Sequence, residues 1–467
     1  MAIPPNKSGY RTYDSRKRLS AFQLVRPMPV MDRASTKTRE NIRAFAEDYC
    51  KFSSQVRSAS DVTDHCRDSL ERTGFDFKNG IYITESEGRA FAAIKYGRKP
   101  VEDGIRIIFS HNDSPGFGLK TNPVIIECDS DTQLARVGVE LDLRDVGAVQ
   151  NAQWPGHSYI IRGHCISGNG KRKNIEFPVY MPDINLHTDN RILEGETLAE
   201  SYKTDKLHLV TGYSGLEKFL KAIGLKSESD FNSSKLRVYP EYPTKIFGEG
   251  FISGYAHDAR AGTFSTLRAF EKTKSPYTTV LIGFDREEIG SRGPGGADSP
   301  FLDKIIDNIL LKSGSVKNTK EITESFKREI FEKSLAINSD VNVCASNRDY
   351  DETRIDIKNI PKMVFGPFLT TEDGNFTGEQ ANATEIHQLK EILRKANIPF
   401  NPVGSAMTQD NSQIEGFQVY LSKRGLPAFS FGTPVIGTHS IEELIHEGDL
   451  YYTFKGDQAF LKADWKA

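Results

Sequence analysis

The chain is predicted to fold as an α/β protein: a three-layer α/β/α domain with a mixed sheet, interrupted by a smaller β-rich inserted domain. Amphipathic helices alternate with short apolar strands toward both ends of the chain, the pattern of a sheet sandwiched between helices. From about Thr121 to about Gly248 this gives way to short β-like runs broken by turns such as Ser167-Gly-Asn-Gly170. The 467 residues, 37% hydrophobic and 27% charged, suffice for a large core spread over more than one domain. The expected division is 1–121 with 247–467 for the three-layer domain and 122–246 for the insert.

The elements follow in order. Ala34 to Val56 places Ile42, Phe45, Ala46, Tyr49 and Phe52 on one helical stripe. A second helix is expected from Asp61 to Thr73, with Ser60 as N-cap and Gly74 just past its end. Gly80 to Ala93 alternates and reads as a hairpin. Ile105 to Phe109 is an apolar strand running into Ser110-His-Asn-Asp-Ser-Pro115. The insert contributes strands near Val124, Val137–Leu143, Ser158–Ile161 and Lys235–Tyr239, and a helix from Ser214 to Ile223. A helix follows Asp258, with Ala261, Phe264, Leu267 and Phe270 as its buried stripe. Val280 to Phe284 is a buried strand, Asp303 to Lys333 a charged helical region, and Leu335 to Ile337 another strand. Thr384 to Ala396 is a helix, Pro427 to Phe431 a strand, and Leu450 to Lys462 the last helix.

Composition excludes some functions. The net charge is −2, with Lys and Arg spread along the chain, which argues against a nucleic-acid or anionic-membrane partner. No apolar run approaches the ~20 residues of a membrane span. The first twenty residues are charged without an apolar segment and read as an arm rather than a secretory signal. Five scattered cysteines without a CxxC pair fit a reducing compartment, so a cytoplasmic location is expected.

The chemistry is read at the strand ends. Val280-Leu-Ile-Gly-Phe284 leads into Glu287 and Glu288 and a glycine-rich turn. On an extended segment neighbouring side chains point opposite ways, so one Glu could hold a metal while the other faces substrate or water. His111 and Asp113 follow the Ile105 strand, Asp340 the Leu335 strand and His439 the Pro427 strand; Asp258 precedes a helix. Singly, Asp258 reads as a helix cap, Asp340 as a turn residue and His439 as a core histidine. As a set they are the His and carboxylate donors of a metal site, delivered to the edge where open α/β sheets bind ligands. Gly290 to Gly296 lacks the Gly-Lys-Ser/Thr ending of a phosphate loop, and no Gly-x-Ser-x-Gly elbow is present.

SHNDSPGFGLKTNP, GYAHDARAGTFSTLRAF, DREEIGS, SDVN and GTHS resemble the five motif blocks of the aspartyl aminopeptidase / aminopeptidase I family of di-zinc metallopeptidases, and stand in that family's order. The resemblance runs from about Val30 onward. It includes the insert, where NAQWPGHSYIIRGHCI is similar to the family's Trp-containing segment. It implies two zinc ions, replaceable by cobalt or manganese, one completed by His111 and Asp340 and the other by Glu288 and His439, with Asp258 bridging. It implies that Asp113 orients His111 and that Glu287 is the general base. The substrate implied is a peptide with a free N-terminus, with Asp or Glu as the family's first-residue preference. The assembly implied is a homo-oligomer, a dodecamer built from dimers, and His187 in INLHTDNR matches a family histidine that reaches a neighbour's active site.

The chain departs from the family at Ala259, where relatives carry Asp or Asn, at Val146-Gly147-Ala148, where they carry Tyr-Gly-Gly, and at Thr371, where a lysine is common. The glycine-rich run before the last strand is not recognisable. These departures leave two other readings: a metal-binding scaffold without turnover, and a di-metal hydrolase acting on small blocked amides.

Overall fold

Chain order and sheet order part early. Hairpin strands β1 (Ile81–Glu85) and β2 (Ala90–Lys95) are followed by β3 (Ile105–His111). Six strands come next: β4 (Gly116–Ile125), β5 (Glu140–Val146), β6 (His157–Ile166), β7 (Arg172–Met181), β8 (His208–Val210) and β9 (Ser234–Pro240). Two short strands, β10 (Lys245–Phe247) and β11 (Phe251–Gly254), lead to the His257–Lys272 helix. The chain then forms β12 (Thr278–Phe284), β13 (Leu335–Val343), β14 (Phe368–Thr370), β15 (Asn401–Val403), β16 (Ala428–Val435) and β17 (Glu443–His446). The structure, a computed structural model, describes residues 28–125, 138–166, 168, 170–185, 187, 195–344, 359–371, 382–404 and 417–465. Val137, Ile126 and residues 405–416 lie outside these.

Eight strands form one mixed sheet in the order β1-β2-β12-β3-β13-β16-β14-β15. Its centre, β12-β3-β13-β16, is parallel throughout. The carboxyl ends of these four strands therefore open on one edge. Every residue of β3, β12 and β16 is buried, as parallel strands covered by helices on both faces must be. Alternate residues of β3 serve different cores: Ile108 joins one, Ile107 and Phe109 the other. The first core takes Phe45, Tyr49 and Phe52 from the Thr36–Gln55 helix and Phe264, Leu267 and Phe270 from the His257–Lys272 helix, as their stripes predict. The second takes Phe301, Ile305 and Ile309 from the Phe301–Ser313 helix. One close approach is decisive: a Cβ on Gly262 would lie 1.7 Å from the Ser339 carbonyl oxygen, so only glycine lets this helix settle against β13.

Strands β4 to β9 close an antiparallel barrel in the order β4-β5-β8-β7-β6-β9. Phe117, Leu141, Leu143, Trp154, Tyr159 and Val238 fill it. Strand β4 spans position 121, where the insert is expected to begin. A third, small sheet pairs β10, β11 and β17. Among the described residues no helix is long and apolar enough to cross a membrane, and Cys50, Cys66, Cys165 and Cys344 are free.

The structure corrects several local expectations. The second helix runs Ala59–Arg72 and its N-cap is Ser58, not Ser60. Ser58 Oγ accepts the Asp61 N–H at 3.0 Å while Asp61 Oδ2 accepts the Ser58 N–H at 2.9 Å. This reciprocal box satisfies two orphan donors rather than one. The charged region from Asp303 to Lys333 is two helices, Phe301–Ser313 and Glu324–Phe331, the first ended by Gly314 at φ +79°. Asp340 stands inside β13, not beyond it.

Candidate metal centre

Adjacent parallel strands bring the site together. His111 ends β3 directly beside Phe284, the end of β12, and Asp340 on β13 pairs with Gly432 on β16. Past β12 the chain makes a 3₁₀ turn, Glu287–Ile289. The two glutamates thus do not sit on an extended segment as their sequence suggests. The turn itself separates them, leaving Glu288 buried and Glu287 partly exposed. Asp258 opens the His257–Lys272 helix with non-helical angles, φ −79° and ψ 107°.

His111 Nε2 is 2.9 Å from Asp258 Oδ1 and 3.6 Å from Asp340 Oδ1. Its Nδ1 faces Asp113, 3.0 Å from the carbonyl oxygen and 3.6 Å from Oδ1. His439 Nε2 is 3.5 Å from Asp258 Oδ2 and 3.4 Å from Glu288 Oε2. The two oxygens of Asp258 therefore answer to two different histidines. One potential ligand atom from each of His111, Asp258 and Glu288 lies within 4.8 Å of the others. Asp113 accepts the Glu287 N–H at 3.1 Å and the Glu288 N–H at 3.2 Å on its two oxygens, tying the turn to the end of β3. His187 is not in this cluster: it is exposed in a turn, its N–H donating to Asn185 Oδ1 at 3.1 Å.

Sequence reading missed two carboxylates. Asp285 is buried and held at 2.8 Å on both oxygens by Arg89, which anchors the turn carrying Glu287. Glu443 is buried beneath Asp258 and His439 and accepts the backbone N–H of each. For Glu443 the only local signal was the apolar pair Leu444-Ile445 that follows it, a run too short to mark a strand by period. From the barrel, Gly147 at φ +76° presses on Glu288; a Cβ there would lie 3.2 Å from Oε2.

Burial opposes charge on all these groups, and neighbours decide the outcome. Although part of Glu287 reaches solvent, the protein packed around its carboxyl pushes it up to about 8; Asp340, Asp258 and Asp113 add to this and His111 opposes it. Burial and the Asp258 carboxylate hold Glu288 well above the usual carboxylate range. Burial works to raise Asp258 as well, but hydrogen bonds from His111 and His439 hold it low. For His439 burial works downward, yet Asp258 and Glu288 bring it up to about 10. His111 is raised likewise against burial by Asp340, Asp113 and Asp258. The cluster is thus a concentration of acids that draws positive charge inward. Glu288 Oε1 is buried with no hydrogen-bond partner, a lone pair left for an electrophile. Imidazole and carboxylate are the nitrogen and oxygen donors that zinc takes, so the residues present fit that metal.

The family model for Aminopeptidase I zinc metalloprotease (M18) matches residues 63–461. The chain belongs to the M18 family. It is a metalloaminopeptidase of a zinc-dependent hydrolase family. A probable M18 family aminopeptidase 1 from Thermotoga neapolitana is 26% identical over 460 residues, 91% of this chain and 97% of that protein. The M18 aminopeptidase crystal structure from Thermotoga maritima shares the fold, with a TM-score of 0.83 at 22% identity, covering 93% of this chain and 99% of that one. The mApe1 dodecamer of S. cerevisiae does so with a TM-score of 0.68 at 16% identity, covering 90% and 97%. In this M18 chain the departures from the family pattern are accommodated locally. Ala259 follows Asp258 through a cis peptide and its carbonyl accepts Ser110 Oγ at 3.2 Å. Thr371 is bound to the Val403 carbonyl through its N–H at 2.9 Å and its Oγ1 at 3.2 Å.

Proposed function

We propose that this enzyme removes the N-terminal residue of peptides at a two-zinc centre, with Glu287 as general base. The observation that carries the reading is Asp258, whose oxygens face His111 and His439 separately; a carboxylate so placed suits a bridge. His111 and Asp340 would hold one ion, Glu288 and His439 the other. Zinc, when bound, supplies Lewis acidity toward water and the scissile carbonyl. Asp113 fixes the His111 ring through Nδ1 and fixes the turn through the two backbone N–H groups it accepts. The Glu287 carboxylate takes a proton from the attacking water and returns it to the leaving amine.

The preferred first residue is Asp or Glu. Supporting this, Arg144 stands exposed on β5 next to Arg237, both side chains meeting over Gly118, and an acidic first residue is the group such a pair of cations would favour. The protein works as a homo-oligomer, a dodecamer built from dimers, in which His187 of one subunit completes a neighbour's site; the likeness to the mApe1 dodecamer supports this. We take residues 1–121 and 247–467 as the catalytic domain and 122–246 as the inserted dimerisation and lid domain. A cytoplasmic location agrees with the free cysteines.

The test is Glu287→Gln with metal content measured alongside turnover. A fall in kcat of about 10²–10⁴-fold with zinc retained is expected. Near-wild-type turnover removes Glu287 from the role. Anomalous scattering at the zinc edge counts the ions and names their ligands.

A further inference from the structure

Strand β17 returns the chain just after His439 and pairs antiparallel with β11, placing Glu443 opposite Gly254. Because β11 leads directly toward Asp258, this register sets the Glu443 side chain between two separate segments of the site. Glu443 is 1% exposed. Its Oε1 accepts the His439 N–H at 2.8 Å and its Oε2 the Asp258 N–H at 2.9 Å. Both amides belong to irregular backbone. His439 has φ +64°, a conformation L residues seldom adopt, and Asp258 is non-helical at the helix start. Neither N–H has a ladder or helix partner, and one carboxylate serves both.

We infer that Glu443 is a positioning residue: its carboxylate splints the Asp258 and His439 backbones together and so sets the spacing of the ligands around the ion shared by Asp258, Glu288 and His439. The inference rests on the two-zinc reading above. It predicts an unequal effect on the two ions. His111 and Asp340, which serve the other ion, stand on neighbouring strands β3 and β13 and are placed by the sheet itself. His439 stands on a loop and depends on Glu443.

The experiment is zinc titration of the metal-free full-length protein against a chelator, resolving the two classes of site, for wild type, Glu443→Gln and Asp449→Asn. Glutamine keeps the shape but turns an NH₂ toward one of the two N–H donors, so one bond is lost. Asp449 is the control: it is also buried and also accepts two backbone N–H groups, from Val364 and Gly366 at 2.7 Å each, in another loop. In Glu443→Gln the class completed by His439 weakens about 10- to 100-fold, while the other, which shares only the bridging Asp258 and is otherwise placed by the sheet, weakens less; equal losses in both classes overturn the inference. Asp449→Asn melts lower but keeps both classes. Wild-type affinities in Glu443→Gln, or the same loss in Asp449→Asn, overturn the inference and leave the metal centre standing. A wild-type protein that takes up no zinc overturns both. A crystal structure of the zinc-loaded wild type needs no variant. Glu443 should still accept both N–H groups within about 3.2 Å, and a Glu443 turned onto an ion or away from them overturns the role.

Discussion

At Asp258 a single side chain meets two histidines, and their hydrogen bonds hold its carboxyl below the usual range against the burial that would raise it. The protons in this cluster make the residue-scale predictions. In the metal-free protein His439, raised to about 10, carries a proton at pH 7, and Glu287, raised to about 8, carries much of one. A ligand histidine must be neutral, so zinc uptake displaces protons. Calorimetry in buffers of different ionisation enthalpy should show net proton release at pH 7, with apparent affinity rising with pH; uptake without release would contradict these assignments. Both groups have pKa values above their unfolded values of 6.5 and 4.5. Their stabilising contribution is therefore complete at acid pH and is lost as pH rises through about 8 and then about 10. The metal-free protein should melt progressively lower across that range, and zinc should reverse the trend. Specificity is also a residue-scale matter. Arg144→Met should lower kcat/KM for Asp-peptides while sparing Leu-peptides, and an unchanged Asp-to-Leu ratio would remove Arg144 from substrate recognition.

The Glu447–Phe460 helix carries the element-scale prediction. Its N-cap is His446, whose Nδ1 accepts the Gly448 N–H at 3.2 Å while Nε2 donates to the Glu249 carbonyl at 3.2 Å. Only the neutral ring can do both. Burial lowers His446 to about 4, and the positive end of a helix disfavours its charged form as well. A lowered pKa has the opposite sign from Glu287: stability is present above 6.5 and is lost as pH falls through about 4, on the order of 3 kcal/mol for this group. His446→Asn keeps a capping acceptor without the titration. Its Tm should change less than wild type between pH 7 and pH 4, and an equal slope would mean another group sets the acid limb. Element boundaries were legible where an apolar stripe met a cap, as in Thr36–Gln55. They slipped where two serines competed: Ser58 wins over Ser60 because Asp61 can return its bond.

At the scale of the whole molecule the barrel and the sheet meet at the site. Trp154 stacks on Tyr159 and sets its edge against Phe117 and Tyr255, and Tyr255 reaches the Ser114-Pro115 loop through its hydroxyl. If His187 serves the adjacent subunit, then subunits bearing His187→Ala, mixed and reassembled with subunits bearing Glu287→Gln, should regain activity that neither has alone. Some sites would then draw a sound His187 from one chain and a sound Glu287 from the other. Mixed oligomers as inactive as their parents would place His187 outside the site.

The sequence alone determined the fold class, the helix stripes and most of the side chains that gather at the candidate metal centre. Each of these is written in local order: an apolar period fixes a face, and a polar residue after a buried strand marks the binding edge. His111, Glu288 and His439 could be found that way. Tertiary structure alone decided how those donors meet. The parallel centre of the sheet gathers four strand ends, Asp258 shares its oxygens between two histidines, and Glu443 joins amides that stand 185 and 4 residues away along the chain. A buried carboxylate that binds only backbone N–H groups leaves no pattern in a sequence, because every residue but proline offers the same donor and only the folded register selects which two it meets.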